Sequence, residues 1–278
     1  MRNISTIIFT LVIALFAAKP VLAGDVDALD EATMVVDNVL FIGDSYCMGA
    51  GVPGGPDAGW AELTAKKMKI EHYYRSCYGG TGFSKKFDER NFETLAENAA
   101  LDIGDTQSIE WVVVEGGYND RYVSDEDIIN DGTAFLQYLV EAYPNAQILI
   151  GMNGWNIKDA DIQEEMDRVL LDVQQLAVSL NVSYIADSEN VLFGHSEYFT
   201  TDNFHPNAAG QEALAEHLTN YLQERANAYA AEKMLNEKGK KQVYTNTNYR
   251  FAFILVLLFS IGIAAIFNIR RLAATKKK

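Results

Sequence analysis

Short apolar runs alternate along this chain with polar segments in which apolar residues recur at helical spacing. The apolar runs predict five strands, at residues 38–42, 70–75, 111–115, 147–152 and 182–186. The periodic segments predict helices at residues 60–69, after a capping box at 124–127, at residues 162–180, and after Pro206-Asn207. Strands that alternate with helices form a parallel sheet covered on both faces. We therefore expect an α/β fold, a three-layer α/β/α sandwich with a five-stranded sheet.

Four predicted loops border the edge of the sheet at which the strands end, where open α/β sheets bind their ligands. They comprise residues 49–59, 83–108, 153–160 and 188–201. The first is rich in glycine and proline, which is typical of a loop. None of the four has a pattern that identifies an acyl chain or an alcohol.

Both ends of the chain have the composition of membrane signals. Residues 1–23 have a basic start, an apolar core and small residues before a cleavage site expected after Ala23, which is the layout of a secretion signal. Residues 250–269 contain an uncharged run from Phe251 to Phe267, and residues 270–278 are basic. The sequence predicts a domain at 24–230, a stalk at 231–249, a transmembrane helix at 250–269 and a cytoplasmic tail at 270–278. The outer domain is expected to face outward from a cell membrane.

The segment between these ends is strongly acidic. Eight of the 23 basic residues lie in the two ends, and none of the 38 acidic residues does. The intervening segment therefore holds 15 basic residues against 38 acidic ones, a net charge of −23. Such a surface repels nucleic acid and anionic lipid headgroups, and neither is an expected partner.

Small and polar residues follow four of the predicted strands. Ser45 follows the first strand, Gly79-Gly80 the second and Asn119 the third, and Asp202-x-x-His205 follows the fifth after a loop. A serine at a strand end is either a nucleophile or a helix cap, and the other residues also occur in ordinary turns and helix entries. Together, however, they bring to one edge of the sheet every group that acyl transfer requires.

Acyl transfer to a hydroxyl needs a nucleophile, a base, a group that orients the base, and donors for the oxyanion. Ser45 is the predicted nucleophile, His205 the base and Asp202 the orienting carboxylate. The predicted oxyanion donors are the backbone N–H groups of Ser45 and Gly80 and the side-chain amide of Asn119. Because a histidine must be neutral to accept a proton, the rate is expected to rise toward neutral pH.

Four sequence blocks resemble, in this order, those of the SGNH (GDSL-type) hydrolases: GDSY at 43–46, GGTG at 79–82, GGYND at 116–120 and DNFHPN at 202–207. The resemblance covers about residues 38–225. It implies a flavodoxin-like sheet and esterase or acyl-transfer chemistry without a metal or other cofactor. It also implies the roles given above for Ser45, Gly80, Asn119, Asp202 and His205.

Two positions depart from the family pattern or leave it open. Tyr46 stands where the family name has leucine. Gly79 adjoins Gly80 and could be the donor in its place. We favour Gly80, because the family's donor glycine is usually followed by a small polar residue and Thr81 follows Gly80.

Further side chains are candidates for the substrate pocket. They are Tyr46, Tyr118, Trp155 and His195, although core packing explains Trp155 equally well. His72 and His217 are interpreted as structural. The two cysteines, Cys47 and Cys77, form either a disulfide or two buried thiols, and no metal-ligand cluster is predicted.

These observations predict a membrane-tethered, extracytoplasmic serine esterase that hydrolyses a carboxylic ester of a small molecule, glycan or lipid through an acyl-Ser45 intermediate. The alternative is an O-acyltransferase, in which a hydroxyl of a cell-envelope glycan replaces water. A non-catalytic surface binding module is a third hypothesis. Oligomeric state is left open.

Overall fold

The computed structural model describes residues 34–156 and 162–239, and its centre is one parallel sheet. The strands are β1 (Val39–Gly43), β2 (Tyr73–Cys77), β3 (Trp111–Glu115), β4 (Gln147–Gly151) and β5 (Ser183–Tyr184). All neighbours pair in parallel, in the order β2-β1-β3-β4-β5. This is the flavodoxin-like strand order, and the predicted five-stranded parallel sheet is confirmed.

Five α-helices are present in the described part of the chain. They are α1 (Trp60–Met68), α2 (Phe92–Ile103), α3 (Asp125–Ala142), α4 (Gln163–Ser179) and α5 (Ala208–Gly239). Ser124 caps the start of α3 as predicted, since its Oγ accepts from the N–H of Asp127 at 3.2 Å, and the hydroxyl in turn donates to Asp127 Oδ2 at 2.6 Å.

Successive residues of β1 point to opposite faces of the sheet. Leu40 and Ile42 pack with the apolar residues of α2, α3 and α4. Phe41 points to the other face and meets Trp60 of α1 edge to face, with ring centroids 5.9 Å apart. On that face α1 is joined to α5, because the N–H of Trp60 donates to Gln211 Oε1 at 2.8 Å. Helices therefore lie on both faces, as the three-layer prediction requires.

Helix α2 corrects the prediction of a loop at 83–108. Asn91 caps it by accepting from the N–H of Thr94, and its buried face is formed by Phe92, Leu95, Ala96 and Ala99. Two of these four side chains are alanines, which give a weak hydrophobic signal. The helical period was therefore inconspicuous in the sequence.

Strand β2 lies about three residues later than predicted. Ile70 belongs to the turn that leaves α1, in which Lys69, the residue after the helix, has the left-handed conformation with φ 56°. The strand itself is at the edge of the sheet, and none of its residues is fully buried. An edge strand needs no continuous apolar run, so apolar residues did not mark its true position.

The chain divides into two compact units, and the division falls within α5 between Asn227 and Ala228. The sheet and the site described below belong to the first unit. The predicted signal segment at 1–23, transmembrane helix at 250–269 and tail at 270–278 lie outside the described residues. Among residues 34–156 and 162–239, no helix combines the length and hydropathy needed to cross a bilayer. Helix α5 continues to Gly239, so the beginning of the predicted stalk is helical.

Candidate active site

Ser45 lies on a tight turn that follows β1. The Asp44 carboxylate accepts from the N–H of Tyr46 at 2.9 Å, and the Ser45 carbonyl accepts from the N–H of Ala50 at 2.9 Å. At Gly43 a Cβ atom would approach Cys47 Cβ to 2.7 Å, so the turn folds back onto the strand as only glycine allows. The turn around the serine is thereby held by hydrogen bonds that do not involve the serine hydroxyl.

His205 is oriented by Asp202. Its Nδ1 lies 2.8 Å from Asp202 Oδ2. The other carboxylate oxygen, Oδ1, accepts from Thr200 Oγ1 at 2.5 Å and from the N–H groups of Phe204 and His205 at 2.8 and 2.9 Å. Because Asp202 is an acceptor here, Nδ1 carries the proton and Nε2 is the nitrogen free to take another.

The Asp202 carboxyl is held in its charged form. Burial alone would raise its pKa, but the hydrogen bonds from Thr200, His205 and Phe204 outweigh burial and lower this pKa well below its usual range. A permanent negative charge beside Nδ1 stabilises the imidazolium that forms when Nε2 accepts a proton.

Ser45 and His205 meet in one cleft of about 770 Å³. Gly79, Gly80 and Asn119 line the same cleft. Of the five residues assigned to catalysis, all but Asp202 therefore line this cleft, and Asp202 is bonded to His205. Within the described residues, no hydrogen bond joins the Ser45 hydroxyl to the imidazole. Such bonds are often long without substrate and shorten when it binds.

The two adjacent glycines have different surroundings. Gly79 lies beside the nucleophile, since a Cβ atom there would be 3.6 Å from Ser45 Cβ, and its N–H donates to Met48 Sδ at 3.0 Å. Gly80 has φ +81°, and a Cβ atom there would lie 2.9 Å from the ring of Phe87. These contacts make Gly79 the nearer neighbour of Ser45, although the sequence favoured Gly80 as the donor.

Asn119 lies in the short turn after β3. Its amide nitrogen donates to the Thr81 carbonyl at 2.8 Å and lies 3.5 Å from Asp44 Oδ2. These contacts connect the turns that follow β1, β2 and β3.

Asp120 joins two of these turns, the one after β3 and the one after β2, a role that sequence reasoning missed. Its carboxylate accepts from the backbone N–H groups of Phe83, Ser84 and Lys85 at 2.8–2.9 Å. A Cβ atom at Gly82 would lie 2.1 Å from Asp120 Oδ2, so glycine is needed there. Gly82 belongs to the GGTG block and Asp120 to the GGYND block, and membership of these blocks was the sequence feature that could have identified their role.

The candidate pocket residues Tyr46, Tyr118, Trp155 and His195 are not among those that line the cleft. Trp155 is buried in the core, where its Nε1 donates to Gln163 Oε1 at 3.0 Å. His195 pairs with Glu197 and stacks on Tyr198. The apolar lining comes instead from residues the sequence did not single out: Met48, Ala50, Val52, Pro56, Tyr78, Phe87 and Phe204.

Cys47 and Cys77 form a disulfide, which resolves the alternative left open by the sequence. Their Cα atoms are 5.7 Å apart, a usual distance for such a bond. Cys47 lies two residues after Ser45, and Cys77 lies two residues before Gly79. The bond therefore ties the nucleophile's turn to the glycine turn.

Two buried carboxyl groups lie near Ser45 in the fold: Glu115 is the last residue of β3, and Asp44 directly follows β1. Burial, and then the proximity of Asp44, raise the pKa of Glu115 to about 8. Burial likewise raises the pKa of Asp44 to about 7, although the hydrogen bond from the Tyr46 N–H opposes the rise. Among the described residues, Glu115 Oε2 has no hydrogen-bond partner.

These shifts predict that the protein loses stability as pH rises above about 5. The folded state keeps a proton on Glu115 that the unfolded chain, with a pKa near 4.5, releases. The stabilisation is present below pH 4.5 and is lost as pH rises toward 8. The neutral variant Glu115→Gln should therefore reduce the fall in unfolding free energy between pH 5 and 8 by roughly 2 kcal/mol.

Denaturant unfolding of both proteins at pH 5 and pH 8 measures this difference. Glu71→Gln, at an exposed position, serves as the control and should keep the original pH dependence. Equal slopes for Glu115→Gln and the unmodified chain would mean that Glu115 is ionised in the folded protein.

Comparison with known proteins gives a family match. Residues 41–213 match the GDSL-like lipase/acylhydrolase family. The matched segment runs from β1 into α5 and contains Ser45, Asn119, Asp202 and His205. No curated protein matches the chain.

Solved structures resemble the chain in fold. TesA is 18% identical with a TM-score of 0.54, over 67% of this chain and 98% of that one. The psychrotrophic esterase EstA from Pseudoalteromonas sp., solved with monoethylphosphonate as inhibitor, is 16% identical with a TM-score of 0.52, over 69% of this chain and 100% of that one. A carbohydrate esterase family 2 enzyme with a carbohydrate binding domain, from Corynascus thermopiles (Myceliophthora fergusii), is 17% identical with a TM-score of 0.54, over 69% of this chain and 66% of that one.

Proposed function

This chain belongs to the GDSL-like lipase/acylhydrolase family and is a serine hydrolase that acts on ester bonds, and from this we propose that it works through a covalent acyl-Ser45 intermediate. One observation carries the assignment. Ser45 and His205 line one cleft, and Asp202 holds the imidazole by Nδ1. The nucleophile thus shares a cleft with the base, and the base is bonded to its orienting group, as acyl transfer needs.

In the first half of the reaction, Nε2 of His205 takes the hydroxyl proton as Ser45 Oγ attacks the ester carbonyl carbon. The carbonyl π electrons move to oxygen, which gives a tetrahedral oxyanion. When it collapses, the bond to the alcohol oxygen breaks and His205 returns the proton to that oxygen. The alcohol leaves, and the acyl group remains on Ser45.

In the second half, water replaces the alcohol. His205 removes a proton from the water as the water oxygen attacks the acyl carbon. Collapse of the second oxyanion breaks the bond to Ser45 Oγ, which recovers its proton from the imidazolium. The carboxylic acid is released.

The oxyanion is held by the N–H of Ser45, an N–H of the Gly79-Gly80 pair and the amide of Asn119. Gly79 lies beside Ser45, but its N–H donates to Met48 Sδ, so Gly80 remains the donor that we propose. Loss of one such donor typically costs about 2.7–4 kcal/mol of transition-state stabilisation.

The cleft suits an uncharged substrate. Apart from His205, none of its lining residues carries a carboxyl group or a permanent cation, and most are apolar or glycine. Segment 24–249 also carries a net charge of −23, which repels anionic esters. We therefore assign a neutral ester, with apolar groups beside the carbonyl, as the substrate class.

A series of p-nitrophenyl esters tests this assignment on the full chain. We expect acetate, butyrate or octanoate to be cleaved at least about tenfold faster than the negatively charged hemisuccinate, because the cleft offers no cation to pair with a carboxylate. Preference for the hemisuccinate would contradict the assignment. Faster nitrophenol release on adding a glycan, with acylated glycan as product, would favour the transferase alternative.

The disulfide supports a location outside the cytoplasm, since such bonds persist in oxidising compartments. With the signal-like segment at 1–23 and the apolar run at 250–269, it leads us to propose an outward-facing catalytic domain tethered to the cell membrane by one helix.

A further inference from the structure

Tyr46, the residue after the nucleophile, is bonded to the loop that carries the base. Its side chain is buried, with 1% exposed, and its hydroxyl donates to the carbonyl of Phe204 at 2.7 Å. Phe204 immediately precedes His205. One hydrogen bond therefore spans 158 positions of sequence and joins the direct neighbours of Ser45 and His205.

The tyrosine is held at its backbone as well as at its hydroxyl. Gln211 of α5 donates from Nε2 to the Tyr46 carbonyl at 3.0 Å, and its Oε1 accepts from the N–H of Trp60 at 2.8 Å. The ring of Tyr46 lies against those of Phe204 and His205, with centroids 6.4 and 6.3 Å away. Few positions are available to a side chain fixed in this way.

The bond from the Tyr46 hydroxyl joins the loop that carries His205 to the turn that follows β1. The bonds around Asp202 connect residues only two or three apart and fix the shape of the loop. They do not set its distance from the turn after β1. The Tyr46 hydroxyl bonds the turn after β1 to this loop. The leucine of the family name could not make this bond.

We propose that Tyr46 is a positioning residue, which sets the separation of Ser45 and His205 without touching the substrate. This proposal rests on the proposed function. Catalysis is sensitive to such positioning, because a misplacement of about 1 Å can lower a rate by about 100-fold.

The test is Tyr46→Phe in the full chain, which removes only the hydroxyl. We expect kcat for the best neutral ester to fall about 10- to 100-fold while KM changes less than about twofold. The rate at which a fluorophosphonate labels Ser45 should fall by a similar factor. Tyr46→Leu should reproduce the loss.

Tyr143→Phe is the matched control. Tyr143 is also 1% exposed, and its hydroxyl donates to a backbone carbonyl, that of Ala96, at 3.0 Å in the core formed with α2 and α3. This variant should keep kcat, and thermal melting confirms that both variants are folded at the assay temperature.

Unchanged kcat in Tyr46→Phe, or an equal loss in Tyr143→Phe, would overturn the positioning role. An unmodified chain that cleaves no ester and takes no phosphonate would instead refute the proposed function, so the two failures are distinguishable.

Discussion

Replacing Ser45 by alanine is expected to lower kcat for ester hydrolysis by about 10⁶-fold, the size of effect found when the nucleophile of a comparable triad is removed. Without Oγ no acyl-enzyme forms, and His205 and the oxyanion donors can assist only direct attack by water. Steady-state kinetics with the best p-nitrophenyl ester measure the loss.

The fold should survive this substitution. The turn around Ser45 is held by the backbone bond from Ala50 and by the Asp44 carboxylate, neither of which involves the hydroxyl. Thermal unfolding should therefore match the unmodified chain. Ser179→Ala, at the end of α4, is the control and should leave activity intact. Retention of more than about 1% of the activity by Ser45→Ala would exclude this residue as the nucleophile.

Asp202→Asn is expected to lower kcat by about 10⁴-fold, because it reverses the tautomer of His205. Oδ1 of Asp202 accepts three hydrogen bonds, so the amide oxygen of asparagine takes that position. The amide NH₂ group then faces Nδ1, which must become the acceptor. The proton moves to Nε2, and the imidazole can no longer take the proton of Ser45.

Kinetics measured against pH, together with thermal melting, test this expectation. The chain offers a matched control in His195 and Glu197, a second imidazole and carboxylate 2.8 Å apart, outside the cleft. Glu197→Gln should keep full activity. Activity of Asp202→Asn within tenfold of the unmodified chain would show that Asp202 does not orient the base.

The parts of the structure that follow from local pattern could be predicted from the sequence. β3 consists of four apolar residues and Glu115 and is followed by two glycines, and the burial of all its residues explains why its bounds were predicted without error. Residues 45, 119, 202 and 205 could be grouped because parallel strands all end at one edge of a sheet. That topological rule needs no distances.

The remaining features depend on packing between distant segments. The alanine-rich face of α2 and the exposed edge strand β2 have weak apolar patterns. The hydrogen bond from Tyr46 to Phe204 and the lining of the cleft by Val52 and Phe87 arise only when loops far apart in sequence meet. Spacing alone left the state of the two cysteines open for the same reason.

Active-site labelling shows whether Ser45 attacks the substrate with His205 as its base. The full chain is incubated with a fluorophosphonate and analysed by intact mass and peptide mapping. We predict one adduct per chain, on Ser45, formed much more slowly in His205→Ala and absent in Ser45→Ala. An adduct on another residue, or none in a preparation that hydrolyses esters, would mean that Ser45 is not the nucleophile.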